Sequence, residues 1–138
     1  MNREERNTLA KRVLNVRKRA YVPYSQFSVG AALLTESGKI FEGVNIENLS
    51  YPAGLCAERV AIFSAVAAGH YSFRGIAVSG GMKDSAPDDF CYPCGMCLQV
   101  MSEFCSPDFE IIIVKSENEI EEYTLKDFLP HVFDSLNK

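Results

Sequence analysis

The chain has 138 residues, of which 47% are hydrophobic and 23% charged, a composition typical of a soluble globular protein with one compact core. Fourteen basic and 18 acidic residues give a formal net charge of −4, which provides no general attraction for nucleic acid. No stretch approaches the roughly 18 consecutive apolar residues of a membrane span. We therefore expect a single domain over residues 1–138, with neither nucleic acid nor a membrane as a partner.

The first predicted element is a helix over residues 3–19, where Leu9, Val13 and Val16 recur at helical spacing before Pro23 ends the pattern. The charged start, MNREERNTLAKR, lacks the apolar segment of a secretory signal peptide, which predicts a cytoplasmic protein. Five basic side chains are expected to form the solvated face of this helix: Lys11, Arg12, Arg17, Lys18 and Arg19.

Two runs rich in β-forming residues follow, FSVGAALLT over residues 27–35 and KIFEGVNIE over residues 39–47. The Glu-Ser-Gly sequence between them suits a tight turn, so the pair is predicted to form a hairpin. Residues 57–68 are almost wholly apolar, which indicates a helix in the middle of the domain, and Gly69 is a typical residue to end it.

The second half of the chain continues the alternation of strands and helices. Residues 73–81 predict a buried strand, and a polar loop leads from it into CYPCGMC at residues 91–97. The remaining predicted elements are a helix from Gly95, strands over 109–115 and 119–125, and a helix over 125–129. This order predicts an α/β fold, a three-layer α/β/α sandwich with a five-stranded mixed sheet.

Three of the five cysteines fall at intervals of three, at Cys91, Cys94 and Cys97. In a reducing compartment such a cluster is more often a metal site than a disulfide framework. An iron–sulfur cluster would need a fourth cysteine close by, whereas Cys105 lies further along the chain and is followed by Ser106. A zinc site with three protein ligands would keep one position for water, as catalytic zinc sites do.

We favour Cys56, in the sequence CAER, as the third ligand beside Cys94 and Cys97. All three are expected at the starts of helices, where the positive end of the helix dipole favours the thiolate that binds metal. Cys94 and Cys97 are one helical turn apart, so their sulfurs are expected on the same side. Cys91 and Cys105 are left without a predicted role, as a loop thiol and a small hydrophobic residue.

Two charged residues follow Cys56 closely. Glu58, together with the later P-C-x-x-C, completes a pattern in which a glutamate acts as general acid and base beside zinc. Three thiolates on Zn²⁺ leave a net negative charge, and Arg59 could offset it by donating hydrogen bonds to the sulfurs. The alternative for Arg59 is an ordinary surface arginine.

The chain resembles the small homotetrameric cytidine deaminases of the three-cysteine zinc type, through five motifs in the same order: YVPYSQFSVGAALLT, GVNIEN, YPAGLCAERVAI, PCGMCLQVMSEF and LPHVF. The resemblance implies a cytidine deaminase-like fold and a Zn²⁺ cofactor. It implies hydrolytic removal of the 4-amino group from cytidine and deoxycytidine, a reaction of pyrimidine salvage. Glu58 would carry the proton from water to N3 and to the leaving amine.

The same resemblance implies how the nucleoside is held. Asn45 and Glu47, two residues apart on the second predicted strand, are expected on one face, where they would bond to the ribose 3′-hydroxyl. Phe27 matches a ring that stacks on the pyrimidine, and Ala57 matches a further substrate contact. Without the other motifs, Asn45 and Glu47 would more readily be interpreted as a polar strand end facing water, and Phe27 as a core residue.

The family also builds its sites at contacts between subunits of a homotetramer. The resemblance implies that Tyr51 and Phe133 reach the site from neighbouring chains. One departure from the family lies at Leu98, where an arginine usually follows the last motif cysteine. If that arginine normally offsets the thiolate charge, Arg59 carries more of this role here.

Two other functions fit parts of the sequence. A deaminase of a cytosine-containing antibiotic such as blasticidin S would keep the zinc site and Glu58 but alter the pocket around Phe27, Asn45 and Phe133. A non-catalytic zinc-binding module would gain nothing from a carboxylate beside the metal, so Glu58 argues against it.

Overall fold

The elements alternate along the chain much as the sequence predicts. The computed structural model describes residues 1–136; Asn137 and Lys138, the last two positions of the predicted domain, lie outside it. In chain order the elements are α1 (Arg3–Val16), β1 (Phe27–Thr35), β2 (Ile40–Val44), α2 (Ala57–Ala67), β3 (Phe73–Met82), α3 (Gly95–Phe104), β4 (Glu110–Ser116), β5 (Glu119–Thr124) and α4 (Leu125–Phe128). Short 3₁₀ turns lie at Arg17–Arg19 and Tyr51–Ala53. Across residues 1–136, the helices fall short of the length and apolarity that crossing a membrane requires.

The five strands form one mixed sheet in the order β2-β1-β3-β4-β5. Neighbouring strands are antiparallel except β3 and β4, which run parallel. A parallel pair needs a crossover connection, and α3 provides it between these two strands. The predicted α/β fold with a five-stranded mixed sheet is confirmed.

Helices cover both faces of the central strands. On one face, Ala32 and Ile112 pack against Leu9 of α1. On the other face, Leu33 and Ile113 belong to the larger core that includes α2 and α3. Because successive residues of a strand face opposite sides, the continuous apolar runs of β1, β3 and β4 supply both cores. The three layers of the predicted sandwich are therefore α1, the sheet, and the layer of α2 and α3.

The first helix is shorter than predicted, and one of its basic residues is not on a solvated face. It ends at Val16, and the chain continues as the 3₁₀ turn, in which Arg17 is only 4% exposed. The cause is Gly30 of β1, since a Cβ there would lie 2.8 Å from the Val13 carbonyl oxygen and 3.0 Å from Arg17 Cβ. Because Gly30 has no side chain, the end of α1 and the 3₁₀ turn pack closely against the sheet, and Arg17 is buried as a result.

The second strand is also shorter than the predicted run over residues 39–47. It ends at Val44, because the chain beyond it pairs with another segment. The amide of Tyr21 donates to the Asn45 carbonyl at 3.1 Å, and the amide of Glu47 donates to the Tyr21 carbonyl at 2.9 Å. Asn45 and Glu47 therefore lie beyond the strand on which they were expected.

Close packing of α2 on β2 fixes the start of α2 relative to the sheet. An added Cβ on Gly43 of β2 would lie 2.3 Å from the Ala57 carbonyl oxygen and 2.5 Å from the Ala61 amide nitrogen. Only glycine fits this approach of backbone to backbone. The first turn of α2, which carries Cys56 and Glu58, is positioned by this contact.

Candidate metal centre

Three cysteine side chains from two helices meet at one point. Cys56 is the N-cap of α2, Cys94 is the N-cap of α3, and Cys97 lies in the first turn of α3. The Sγ atom of Cys94 lies 3.8 Å from that of Cys56 and 3.5 Å from that of Cys97. All three sulfurs lie within 4.8 Å of one another, the single such cluster of potential metal ligands in residues 1–136. The structure thus brings the three predicted ligands together.

The spacing of these sulfurs fits a tetrahedral zinc ion. With Zn–S distances of about 2.3 Å, sulfurs at two corners of a tetrahedron stand roughly 3.8 Å apart. Three protein ligands leave one corner for water, which is the arrangement of catalytic zinc sites rather than structural ones. Within residues 1–136, Cys91 and Cys105 both lie outside the cluster, so the fourth ligand that an iron–sulfur site needs is not supplied.

Cys56 and Cys94 occupy the N-cap positions of α2 and α3, but neither side chain makes a capping hydrogen bond. Both sulfurs are therefore available to a metal. The pKa of Cys56 is lowered to about 5, first by a hydrogen bond from Cys97 and then by one from Arg59. The pKa of Cys97 is raised, first by the same hydrogen bond with Cys56 and then by burial. The hydrogen bond from Arg59 therefore favours the thiolate form of Cys56.

Arg59 makes the contact that its position in the sequence suggested. Its Nη2 donates to Cys56 Sγ at 3.5 Å, and this bond is the main reason that the pKa of Arg59 is raised. Its Nε is buried and has no hydrogen-bond partner in the described part of the chain. Leu98, where the resemblance led us to expect an arginine, is 6% exposed and packs in the same core cluster as Cys97. In residues 1–136, Arg59 is thus the one guanidinium bonded to these sulfurs.

Glu58 stands in the first turn of α2 and is only 4% exposed. Burial first, and then the charge of the nearby Cys56 sulfur, raise the pKa of its carboxyl to about 7. A carboxyl that titrates near neutrality can both accept and donate a proton during a reaction. Its position and its pKa therefore suit a general acid and base.

A cavity of about 540 Å³ opens beside the cysteine cluster. Its walls come from the chain before β1, the chain after β2, the start of α2 and the loop before α3. Cys56, Ala57, Glu58, Arg59 and Cys94 all contribute to the lining. This volume lies within the usual range for small-molecule sites, so a nucleoside would fit.

Asn45 and Glu47, the predicted ribose ligands, both line this cavity. Glu47 Oε1 accepts hydrogen bonds from the backbone amides of Tyr24 at 3.0 Å and Ser25 at 3.1 Å. Hydrogen bonding, first from the Ser25 side chain, lowers the pKa of Glu47. Asn45 bonds through both ends of its amide to backbone groups of β1. Glu47 thus holds the segment before β1 in place and Asn45 holds the start of β1, roles that the sequence did not reveal.

Of the remaining predicted substrate contacts, Tyr51 lines the cavity, whereas Phe27 and Phe133 do not. Tyr51 lines the cavity of its own chain with its side chain 79% exposed. Phe27 is not in the lining, but a Cβ on Gly80 would touch its ring and Cys91 Sγ together, so the ring stands beside the cavity wall. Phe133 lies outside the lining and is 64% exposed, with its carbonyl oxygen accepting a hydrogen bond from Gln99 at 2.9 Å.

Cys91 and Tyr92 are among the cavity residues that sequence reasoning missed. Cys91 was left without a role, yet it lines the wall, and burial raises the pKa of its thiol to about 11. Tyr92 also lines the wall, and its hydroxyl donates to Glu121 Oε1 at 2.7 Å. Their place directly before Pro93 and Cys94 was the available signal. Cys105 packs against the core as expected, and burial raises the pKa of its thiol.

Known proteins are similar to this chain in both sequence and fold. The family model for the cytidine and deoxycytidylate deaminase zinc-binding region matches residues 3–113. A cytidine deaminase of Halalkalibacterium halodurans is 42% identical over 94% of this chain and 94% of its own length. The crystal structure of a cytidine deaminase from Burkholderia pseudomallei superposes with a TM-score of 0.84 at 40% identity, over 96% of this chain and 100% of that one.

A blasticidin-S deaminase of Bacillus cereus is a more distant relative. It is 31% identical over 74% of this chain and 74% of its own length. The antibiotic-deaminating alternative raised by the sequence is therefore less well supported than the nucleoside one.

Proposed function

The chain belongs to the cytidine and deoxycytidylate deaminase family, and on that premise we propose that it hydrolyses cytidine and deoxycytidine to uridine and deoxyuridine with release of ammonia. The observation that carries the proposal is the position of Glu58. Its buried carboxyl lines the same nucleoside-sized cavity as the cysteine sulfurs that fit a zinc ion. A purely structural metal site has no need of a carboxylate with a raised pKa beside it.

The reaction adds water to C4 of the pyrimidine and breaks the bond from C4 to the 4-amino nitrogen. Cys56, Cys94 and Cys97 would hold a zinc ion, which would supply a water of lowered pKa as the nucleophile at pH 7. Glu58 accepts a proton from the attacking water and donates it to N3. A second proton, from the hydroxyl group now on C4, passes through the same carboxyl to the 4-amino group, which leaves as ammonia while C4 keeps the oxygen as a carbonyl.

Arg59 and the remaining cavity residues support this chemistry. Arg59 withdraws charge from Cys56 through its hydrogen bond, which keeps the metal site acidic enough to activate water. Asn45 and Glu47 keep unused hydrogen-bonding capacity and line the cavity, where they hold the ribose 3′-hydroxyl. Phe27 stacks on the pyrimidine, and Ala57 contacts it from the start of α2.

We also propose that the protein is a cytoplasmic homotetramer of pyrimidine salvage. Exposed apolar side chains support an assembly, since Leu49 is 80% exposed and Tyr51 and Phe133 are nearly as open. In the assembly, Tyr51 and Phe133 complete the sites of neighbouring subunits. The uracil nucleosides that the reaction yields are the reason to place it in salvage.

The experiment is to measure ammonia release from cytidine, deoxycytidine and blasticidin S with the purified zinc-loaded protein. We expect turnover of both nucleosides, with kcat/KM for blasticidin S lower by at least about 100-fold, because an altered pocket is needed for the larger substrate. Turnover of blasticidin S alone would replace the nucleoside proposal with the antibiotic one.

A further inference from the structure

A second cavity, of about 680 Å³, lies between α1 and the loop that follows β3. We call it the basic groove. Four of its lining side chains are cationic and one is acidic: Lys11, Arg17, Lys18, Lys83 and Asp84. The chain as a whole has a net charge of −4, so this concentration of positive charge is not a reflection of its composition. The deaminase reaction proposed above does not use the groove.

Arg17 forms the floor of the basic groove and is buried without a carboxylate partner. Its Nε, Nη1 and Nη2 donate to the carbonyl oxygens of Ser28 at 3.3 Å, Ser85 at 2.8 Å and Met82 at 3.1 Å. None of the ion pairs within residues 1–136 involves Arg17. A guanidinium has five N–H donors, so two remain after these three bonds. Its positive charge at the base of the cavity is therefore bonded to carbonyl oxygens and, within residues 1–136, has no ion pair with a carboxylate.

The three lysines of the groove have no ion-pair partner either, within the residues that the structure describes. By contrast, the neighbouring Arg12 pairs with Glu42 at 2.9 Å. Lysine ammonium groups act as mobile point charges toward phosphate, and arginine adds directional donors. Leu14 and Pro87 supply apolar wall between the charges.

We propose that the basic groove binds a small phosphate-bearing anion with several negative charges, either a free polyphosphate or the phosphate chain of a nucleotide. The volume is sufficient for a molecule of this size. A small ligand is favoured over a nucleic acid polymer, because the rest of the chain is acidic and would repel an extended polyanion.

The groove and the metal-site cavity lie on opposite faces of the same strand. A Cβ on Gly80 would meet Cys91 and the ring of Phe27, whereas a Cβ on Gly81 would meet Arg17 Nη2 at 2.9 Å and Pro87. Successive residues of a strand face opposite sides, so an anion in the groove does not compete for the nucleoside cavity. Binding can therefore be measured with the metal site intact.

The test is calorimetric titration of the full-length, zinc-loaded protein at constant ionic strength with tripolyphosphate, ATP or inorganic phosphate. We expect saturable binding of tripolyphosphate and ATP, and binding of inorganic phosphate weaker by about tenfold or more, because it reaches fewer of the cations. Similar affinity for tripolyphosphate and ATP would assign recognition to the phosphate chain; much tighter ATP binding would add a nucleoside contact. Zinc content measured after each titration checks that the ligand has not removed the metal.

Two charge-reversal variants and a matched control make the test specific. Lys18→Glu and Lys83→Glu should each weaken tripolyphosphate binding by about tenfold or more. Lys39→Glu changes the net charge equally but lies in the turn between β1 and β2, and it should change the affinity less than about twofold. Absence of saturable binding, or equal weakening by Lys39→Glu, would overturn the proposal. Preference for a single-stranded oligonucleotide over tripolyphosphate would overturn the small-ligand assignment.

Discussion

At the scale of single residues, the first turn of α2 concentrates the proposed chemistry. Cys56, Glu58 and Arg59 lie within four consecutive positions, so one helix start presents a ligand, a carboxyl and a guanidinium to one cavity. Residues 56 and 59 are three apart and therefore share a helix face, which lets Arg59 reach the sulfur of Cys56. Glu58 is instead directed into the protein and loses its water, which is why its pKa rises.

Replacing Arg59 by alanine tests charge compensation at the thiolates. We expect kcat/KM for cytidine to fall by about tenfold or more, and zinc to be lost faster to a chelator, because Cys56 loses a charge-assisted hydrogen bond. Arg59→Lys should restore part of both quantities, since it keeps the charge but not the geometry. The control is Arg19→Ala, at an exposed position of the 3₁₀ turn, which should leave both unchanged. Wild-type zinc retention in Arg59→Ala would contradict this role.

At the scale of elements, two glycines of the sheet set where the helices lie. The absence of a side chain at Gly43 lets α2 pack closely on the sheet, and the absence of one at Gly30 does the same for the end of α1 and Arg17. The sequence could not reveal these contacts, because a glycine in a strand predicts close approach without naming the partner. The same limit explains why Arg17 was expected in solvent, since a basic residue in a charged run is usually exposed.

Gly43→Ala is predicted to displace the start of α2. The added methyl group meets backbone atoms of Ala57 and Ala61, which cannot move aside as a side chain can. We expect the free energy of unfolding to fall by about 1–3 kcal/mol, and cytidine turnover to fall with it as Glu58 shifts. For Gly95→Ala, where a Cβ would have no neighbour within 4 Å, stability should change by less than about 0.5 kcal/mol. Equal stability losses would contradict the packing argument.

Arg17→Met is predicted to loosen the junction of β1, β3 and the loop before the metal ligands. The buried Ser28 carbonyl loses its hydrogen bond from Arg17, and a buried acceptor left unpaired costs about 1–3 kcal/mol. The Met82 carbonyl keeps a hydrogen bond from the Ser85 amide, and Ser85 is exposed to water. Urea unfolding should therefore show a stability loss of about 1–3 kcal/mol. The adjacent exposed Lys18→Met should cost less than about 0.5 kcal/mol, and an equally small effect of Arg17→Met would show that its hydrogen bonds contribute little.

At the scale of the whole molecule, the fold and the cysteine cluster were largely predictable, and the cavity was less so. Continuous apolar runs such as 111–114 predicted strands buried on both faces, and the cysteine spacing placed Cys94 and Cys97 on one helical turn. The cavity depends on long-range backbone pairing instead. The second strand ends at Val44 because the backbone of Tyr21 forms hydrogen bonds with Asn45 and Glu47. No local sequence pattern near Asn45 indicates this pairing.

A homotetramer with shared sites makes a prediction about exposed apolar residues. Leu49→Asp should yield smaller assemblies by light scattering and lower cytidine turnover, because a charge replaces an apolar contact near the cavity segment. Tyr71→Asp is the control: this exposed residue precedes β3, at the opposite end of that strand from Met82. A fully active monomer would rule out sites completed by neighbouring subunits.

The most direct test of the account compares the native protein with Glu58→Gln for ammonia release from cytidine and for bound zinc. We predict one zinc per chain in both proteins, because the cysteine cluster does not include Glu58. Ammonia release should fall by about 100-fold or more in the variant, the usual contribution of a general acid and base. Near-native release by a folded, zinc-loaded Glu58→Gln protein would contradict the assignment of Glu58. No release by the zinc-loaded native protein would contradict the deaminase function itself.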